Sequence, residues 1–158
     1  MIITLTQGKV AIVDDEDAEL LAGYKWYTAK CWRTVYAMTT VRLENGLCTS
    51  LRMHRLIMGV ADPHVEIDHI DGDGLNNSRT NLRLCSHMEN TRNQGLSKRN
   101  TSGFKGVSWN SDCKKWAAHI STGSGRNEYL GLFSSAEAAH EAYCAAALKY
   151  HGKFANLG

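Results

Sequence analysis

The chain has 158 residues, room for one or two small domains with a modest core. Net charge is only +2, no apolar run approaches about 18 residues, and five scattered cysteines form no CxxC pair. These features argue against a membrane-spanning helix, a disulfide scaffold and a cysteine zinc staple; with no signal peptide at the start, a soluble cytoplasmic protein with reduced thiols is expected.

Met1–Leu5 and Lys9–Val13 read as short strands joined at Thr6-Gln7-Gly8, and Asp14–Ala22 as one short acidic helix. Trp26–Ala29, Thr34–Thr40 and Cys48–Arg52 supply further strands, with Asn45-Gly46 as a turn signal. Trp26, Trp32 and Tyr36 are expected in a core. Met53–Met58 (MHRLIM) then leads into the most informative stretch, Val65–Asn93. Here a short apolar run ends in Asp68-His69. A Gly/Asn/Asp-rich loop follows at Asp71–Ser78, then a second strand at Asn81–Cys85. Ser86 with Glu89 forms a capping box, which starts a helix and puts Asn90 on its first turn.

Each of these residue types suits one task. Asp68 offers an anionic oxygen and Asn90 an amide oxygen, a pair suited to a hard divalent cation. His69 titrates near neutrality and can take a proton from water. Asn81 can orient the imidazole or pin the loop. The loop begins like a calcium loop, Asp71-Gly72-Asp73-Gly74, but its fifth, sixth and twelfth positions are Leu75, Asn76 and Leu82, which excludes that reading. Plain Asn-rich turn chemistry is the bland alternative.

Charge is unevenly distributed. Residues 1–23 carry five acids against Lys9, and residues 75–115 carry eight bases against two acids. The basic middle fits a polyanionic partner, or else a solvated face. Leu96–Ser102 (LSKRNTS) reads as a basic linker that can lie along a nucleic acid.

Beyond it, Phe104–Trp109, Lys115–Ser121 and Tyr129–Phe133 read as three strands, with turns at Asp112 and at Gly123-Ser124-Gly125. Ser134 with Glu137 reads as a second capping box, opening a helix from Ser135 to about Tyr150. Ala138, Ala139, Ala142, Ala145 and Ala146 form its small-residue stripe, and Gly152 is its expected C-cap. The expected fold class is α+β: a β-rich N-terminal part, a ββα-metal core, then a three-stranded antiparallel sheet packed on one helix.

Asp68-His69, Asn81 and Asn90, with their intervening "DG…NN…NLR…EN…N" text, resemble the HNH (ββα-metal) endonucleases, the phage and intron-encoded homing types above all. The resemblance implies His69 as general base, Asp68 and Asn90 as ligands of one divalent metal (Mg²⁺ first, Mn²⁺ second), and Asn81 as the structural Asn grouped with the catalytic set. The third motif position is Asn where many members have His, and no structural zinc is implied. Family members of the phage type often carry a His-Arg-Leu upstream. That puts His54 near metal or phosphate, or else in a packing role, and makes Arg55 a phosphate contact.

The C-terminal segments Phe104-Lys105-Gly106-Val107, Trp116–Ile120, Leu130–Phe133 and Ala138–Tyr143 resemble the AP2/ERF DNA-binding domain, whose sheet lies in the major groove. The implied contacts to double-stranded DNA are Lys105, Ser108, Asn110, Lys115, Trp116, His119, Ser121 and Arg126. Arg79, Arg83, Arg92, Lys98 and Arg99 join Arg55 as phosphate contacts from the basic middle. The first strand has Ser108, Trp109 and Asn110 where plant members are Arg-rich, which puts guanine readout in doubt. Three regions are therefore expected: 1–95, with the nuclease core at about 54–95; a linker at 96–102; and a DNA-binding domain at 103–158. The implied activity is a homing-type DNA endonuclease that nicks one strand, working in a bacterial host cell if phage-encoded. A catalytically inactive DNA-binding regulator is the alternative, RNA cleavage a weaker third; monomer and dimer both stay open.

Overall fold

The computed structural model describes residues 1–31, 34–123 and 126–158. The expected core residue Trp32 and the turn residues Ser124 and Gly125 lie outside them. The chain divides into two compact units, Met1–Ser86 and His87–Gly158. The architecture is α+β, with strands leading in the first unit and a three-stranded sheet followed by a helix in the second.

The first unit opens with a hairpin, β1 (Ile2–Thr4) against β2 (Val10–Ile12). The turn between them holds Gln7 at φ 68° and Gly8 at φ 70°. Left-handed backbone costs glycine nothing, and Gly8 takes up the second of these positions. The acidic segment is a 3₁₀ turn, Asp15–Asp17, that runs into the short helix α1 (Ala18–Ala22). A meander follows: β3 (Tyr27–Cys31), β4 (Thr34–Arg42) and β5 (Cys48–Arg52), in the order β3-β4-β5. Then come α2 (Met53–Ile57) and a second hairpin, β6 (Glu66–His69) with β7 (Leu82–Cys85).

One core ties these pieces together. Leu5, Ala11, Val13, Leu21, Trp26, Ala37, Met53, Ile57, Ile67 and Leu82 pack in a single buried cluster. Every hairpin, the meander and both helices contribute to it. None of the small sheets would be stable alone in water; burial of the shared apolar face supplies the stabilisation. Met53 is fully buried and Ile57 nearly so. That is why MHRLI forms a helix where the sequence suggested only a lead-in: positions 53 and 57 are one turn apart and face the core together.

In the second unit, α3 (His87–Asn93) is followed by β8 (Val107–Asn110), β9 (Lys115–Ser121), β10 (Asn127–Phe133) and α4 (Ala136–His151). The sheet is antiparallel in the order β10-β9-β8. The residues joining α3 to β8 are tied down as well. Lys105 Nζ donates to the carbonyls of Arg92 at 2.8 Å and Gln94 at 2.6 Å, and Asn156 Nδ2 donates to Asn93 at 2.7 Å. Asn100 and Ser102 bond the 103–107 backbone. These bonds draw α3 and the 96–102 segment into the same unit as the sheet.

Helix α4 corrects two details. Its N-cap is Ser135, not Ser134: Ser135 has extended backbone, and its Oγ accepts from the Ala138 N–H at 3.1 Å. Its buried stripe is Ala136, Ala139, Tyr143, Ala146 and Ala147. Ala145 is exposed, so the packed face is rotated from the one expected. Gly152 closes the helix at φ 53°. Gly106, at φ 73°, lies so close under the Tyr143 ring that a Cβ there would collide with it.

Candidate active site and nucleic-acid face

The β6–β7 hairpin is held in register by Asp68 opposite Arg83 and His69 opposite Leu82. Side chains alternate along a strand. Asp68 therefore meets Arg83 across the hairpin, while His69 turns toward Tyr36 and His54.

The loop between the strands is closed by its own polar side chains. Asp71 accepts from the Asp73 N–H at 2.8 Å, from Asn76 Nδ2 at 2.7 Å and from Asn81 Nδ2 at 2.9 Å. Asn81 Oδ1 in turn accepts from the Asp71 N–H at 3.1 Å, and its Nδ2 also reaches the Asn76 carbonyl at 2.8 Å. Asn81 thus fastens one end of the loop to the other. Burial pushes the Asp71 carboxyl up, but these hydrogen bonds outweigh it and hold the group below its ordinary value. The loop is also pressed onto the meander. A Cβ on Gly74 would stand 2.5 Å from the Val35 carbonyl oxygen and 2.7 Å from the Tyr36 ring, so only glycine fits. On its far side the loop bonds to β2, through Ile12 N–H to Leu75 O at 2.9 Å and Asn77 N–H to Ile12 O at 2.7 Å.

His69 is buried, and its ring is boxed in. His54 meets it edge-on at 5.0 Å between centroids, and Tyr36 touches both, at 5.8 and 5.4 Å. Its Nε2 lies 3.4 Å from Asn77 Oδ1. Burial holds the His69 pKa below its ordinary value, partly offset by Asn77 and by the carboxylates of Asp71, Asp68 and Asp73. The imidazole is thus neutral and able to accept a proton. Burial drives His54 down further, to about 3, with His69, Arg52 and Arg55 acting in the same direction. His54 Nδ1 is buried and finds no hydrogen-bond partner among the described residues.

Asp68 is also buried, and its Oδ2 accepts from Arg83 Nε at 2.8 Å and Nη2 at 2.6 Å. Asn90 lies on α3, in the second unit.

Three arginines expected on phosphates make bonds within the chain. Arg83 pairs with Asp68. Arg55 donates to the carbonyls of Val65 and Asp62. Arg79 binds the buried Asp17 with two nitrogens, meets Glu16 at 3.1 Å, and gives its backbone N–H to Asp14. Asp14, Glu16 and Asp17 are spaced closely enough to hold a cation, but the Arg79 guanidinium already lies on Glu16 and Asp17. Arg92 is half-buried on α3; Lys98 and Arg99 are exposed.

On the C-terminal sheet, register sorts the expected DNA contacts onto two faces. Val107 pairs with Ala118 and Trp109 with Trp116, and this face meets α4; Trp116 packs against the cluster of Val107, Ala118, Ala136 and Ala139. Trp116 therefore belongs to the helix side. The opposite face carries Ser108, Lys115, His119 and Ser121, all exposed, together with Tyr129, whose ring lies 5.3 Å from His119. Asn110 shares that side, but its Oδ1 caps the β8–β9 turn, accepting from the Asp112 and Cys113 N–H groups. Lys105 is half-buried on its two carbonyls, and burial lowers it to about 8. Arg126 is exposed just ahead of β10.

Sequence reasoning missed Asn77 and Gly74. The paired Asn76-Asn77 was visible, but its burial follows from a pairing with β2 more than sixty residues away.

Residues 52–92 match the HNH endonuclease family. The chain is 30% identical over 105 residues to the uncharacterized HNH endonuclease L560 of Acanthamoeba polyphaga mimivirus, covering 66% of this chain and 53% of that one. It is 46% identical over 54 residues to Protein 3.8 of Escherichia phage T7 (34% and 45% covered). It is 42% identical over 60 residues to the H-N-H endonuclease F-TflI of Escherichia phage T5 (33% and 31% covered). The chain thus spans at most about half the length of the curated relatives it matches. No solved structure matches it. The matched stretch runs from the end of β5 through α2, the β6–β7 hairpin and most of α3.

Proposed function

We propose that the chain is a metal-dependent DNA endonuclease of the homing type that nicks one strand. The observation that carries this reading is the buried, neutral His69 at the head of a rigid loop, inside the segment that matches the HNH family. His69 accepts the proton from the attacking water. The P–O3′ bond breaks, leaving a 5′-phosphate and a 3′-hydroxyl. Tyr36 and His54 hold the imidazole plane, so orientation is set before substrate arrives. Asn81 keeps the loop closed.

The donor chemistry of Asp68 and Asn90, a carboxylate and an amide oxygen, fits a hard divalent cation such as Mg²⁺. When bound, that ion supplies charge neutralisation at the scissile phosphate. Arg83 holds one Asp68 oxygen through two nitrogens and so fixes the carboxylate. For placement on DNA, the exposed Ser108, Lys115, His119 and Ser121 on one sheet face support an AP2/ERF-like duplex-binding role, assisted by Lys98, Arg99 and Arg126. One active site per chain cuts one strand.

The Asp68–Arg83 pair favours a second reading, an inactive DNA-binding regulator, because it occupies part of the metal-ligating carboxylate. A plasmid-nicking assay with Mg²⁺ and with EDTA separates the two. Nicking lost in EDTA supports the nuclease, and duplex binding without cleavage under any divalent metal supports the regulator.

A further inference from the structure

A cavity of about 300 Å³ lies within the second unit, walled by residues of α3, the end of β9 and the C-terminal half of α4. Its polar wall holds Arg92, Lys105, Tyr143 and His151, and among the described residues no carboxylate lines it. Arg92 is half-buried, and a Cβ on Gly123 would strike its guanidinium. Arg55, Arg79 and Arg83 all bond within the chain. The Arg92 guanidinium makes neither an ion pair nor a hydrogen bond among the described residues. Lys105 Nζ gives two of its three N–H groups to the Arg92 and Gln94 carbonyls, which fixes the ammonium and leaves one donor over. Tyr143 is 3% exposed, yet its hydroxyl forms no hydrogen bond among the described residues. A phenol buried to that extent ordinarily has a partner. His151 is buried as well: its Nε2 donates to the Ser121 carbonyl at 2.7 Å, and its Nδ1 finds no partner among the described residues.

Two cations and a phenolic donor thus line one space that contains no negative charge of the protein's own. Donors of this kind select an anion, and a guanidinium beside an ammonium suits the several oxygens of a phosphate. The volume admits a phosphate with part of the molecule that carries it, and Met88 and the Tyr143 ring give that body an apolar wall. We infer that this cavity is a binding site for a phosphate monoester, held by Arg92, Lys105 and the Tyr143 hydroxyl. Two sources offer that group, a free mononucleotide and the 5′-phosphate at a DNA end. The site goes beyond the reading of His69 as general base, since none of these residues takes part in that chemistry.

The probes are inorganic phosphate and adenosine 5′-monophosphate, titrated into the full chain at physiological salt and followed by ¹H–¹⁵N NMR. Each is expected to saturate at one site, with shifts centred on the signals of Arg92, Lys105, Tyr143 and His151. Arg92→Gln is expected to weaken binding by at least about tenfold. Tyr143→Phe keeps the ring that meets Gly106 and deletes only the hydroxyl. It is expected to weaken binding by about threefold to tenfold with Tm unchanged, because that hydroxyl bonds nothing in the protein. Lys149→Gln, which removes an exposed cation elsewhere on α4, should bind as the unaltered chain does. An equal loss there would reduce the effect to general surface charge and overturn the site. A blunt duplex with and without 5′-phosphates separates the sources. Tighter binding of the phosphorylated duplex, lost in Arg92→Gln, identifies a DNA end; equal binding of the two identifies the free nucleotide. No saturable binding of either probe, or binding that either cavity variant leaves unchanged, refutes the inference. Should Arg92→Gln fail to fold, Tyr143→Phe decides alone. Cleavage surviving in His69→Ala would sink the nuclease reading and leave these titrations standing.

Discussion

The two units differ in how much polar chemistry they bury: the second encloses Asn93 and His151, the first a larger and charged set. The first takes polar groups inside: Asp17, His54, Asp68, His69 and Asn77 are all buried. The second packs its sheet mainly on alanines of α4 and turns Ser108, Lys115, His119 and Ser121 outward. Buried polar groups are costly unless each finds a partner, but once satisfied they define a single geometry. Exposed ones leave the strands free to meet a surface supplied by something else. The contrast is that of an enclosed polar cluster and an open polar face.

The sharpest way to probe this contrast is His69→Ala. Cleavage should fall by about 10²–10⁴-fold, while duplex binding measured by filter retention stays near that of the unaltered chain. Loss of both together would merge the two roles.

Next comes the buried carboxylate. Arg79→Ala leaves Asp17 inside the unit without its two-nitrogen partner, and should lower the urea midpoint of the first unit. Gly74→Ala presses a methyl group on the Val35 carbonyl and should cost about 1–3 kcal/mol. Both changes should leave the second unit's melting unaltered if the units hold their own cores.

Acid should act on the first unit through His54, whose pKa in the folded state is about 3 against 6.5 for the unfolded chain. Between those values the unfolded state binds the extra proton. The stabilisation is complete above pH 6.5 and is lost as pH falls toward 3, at up to about 1.4 kcal/mol per pH unit. A His54→Leu chain should show a shallower acid slope in thermal melts. The smallest effect is expected on the sheet face: Lys115→Ala should weaken duplex binding by about 0.5–1 kcal/mol and flatten its salt dependence by about one unit, with nicking chemistry at saturating DNA unchanged.

Much of this was legible where the signal is local. Asp68-His69, the Asn-rich loop and the strands around it follow from alternation and turn chemistry over a few residues. The C-terminal strands and helix follow in the same way. What the sequence hid was tertiary. Arg79 reads as a phosphate contact until the fold brings it onto Asp17, sixty-two residues away. Trp116 reads as a surface aromatic until register with Trp109 puts it on the helix side. Ser134 and Ser135 both satisfy a capping pattern, and only the extended backbone at Ser135 selects between them.

The backbone pairing of the 75–77 loop with Ile12 has a consequence for anyone transplanting the segment that matches the HNH family. The 41 residues that match the family stop well short of β2, so a graft cut to those borders would arrive without the strand that braces its loop. Carrying residues 1–13 along, or engineering a substitute edge, becomes the condition for a portable module.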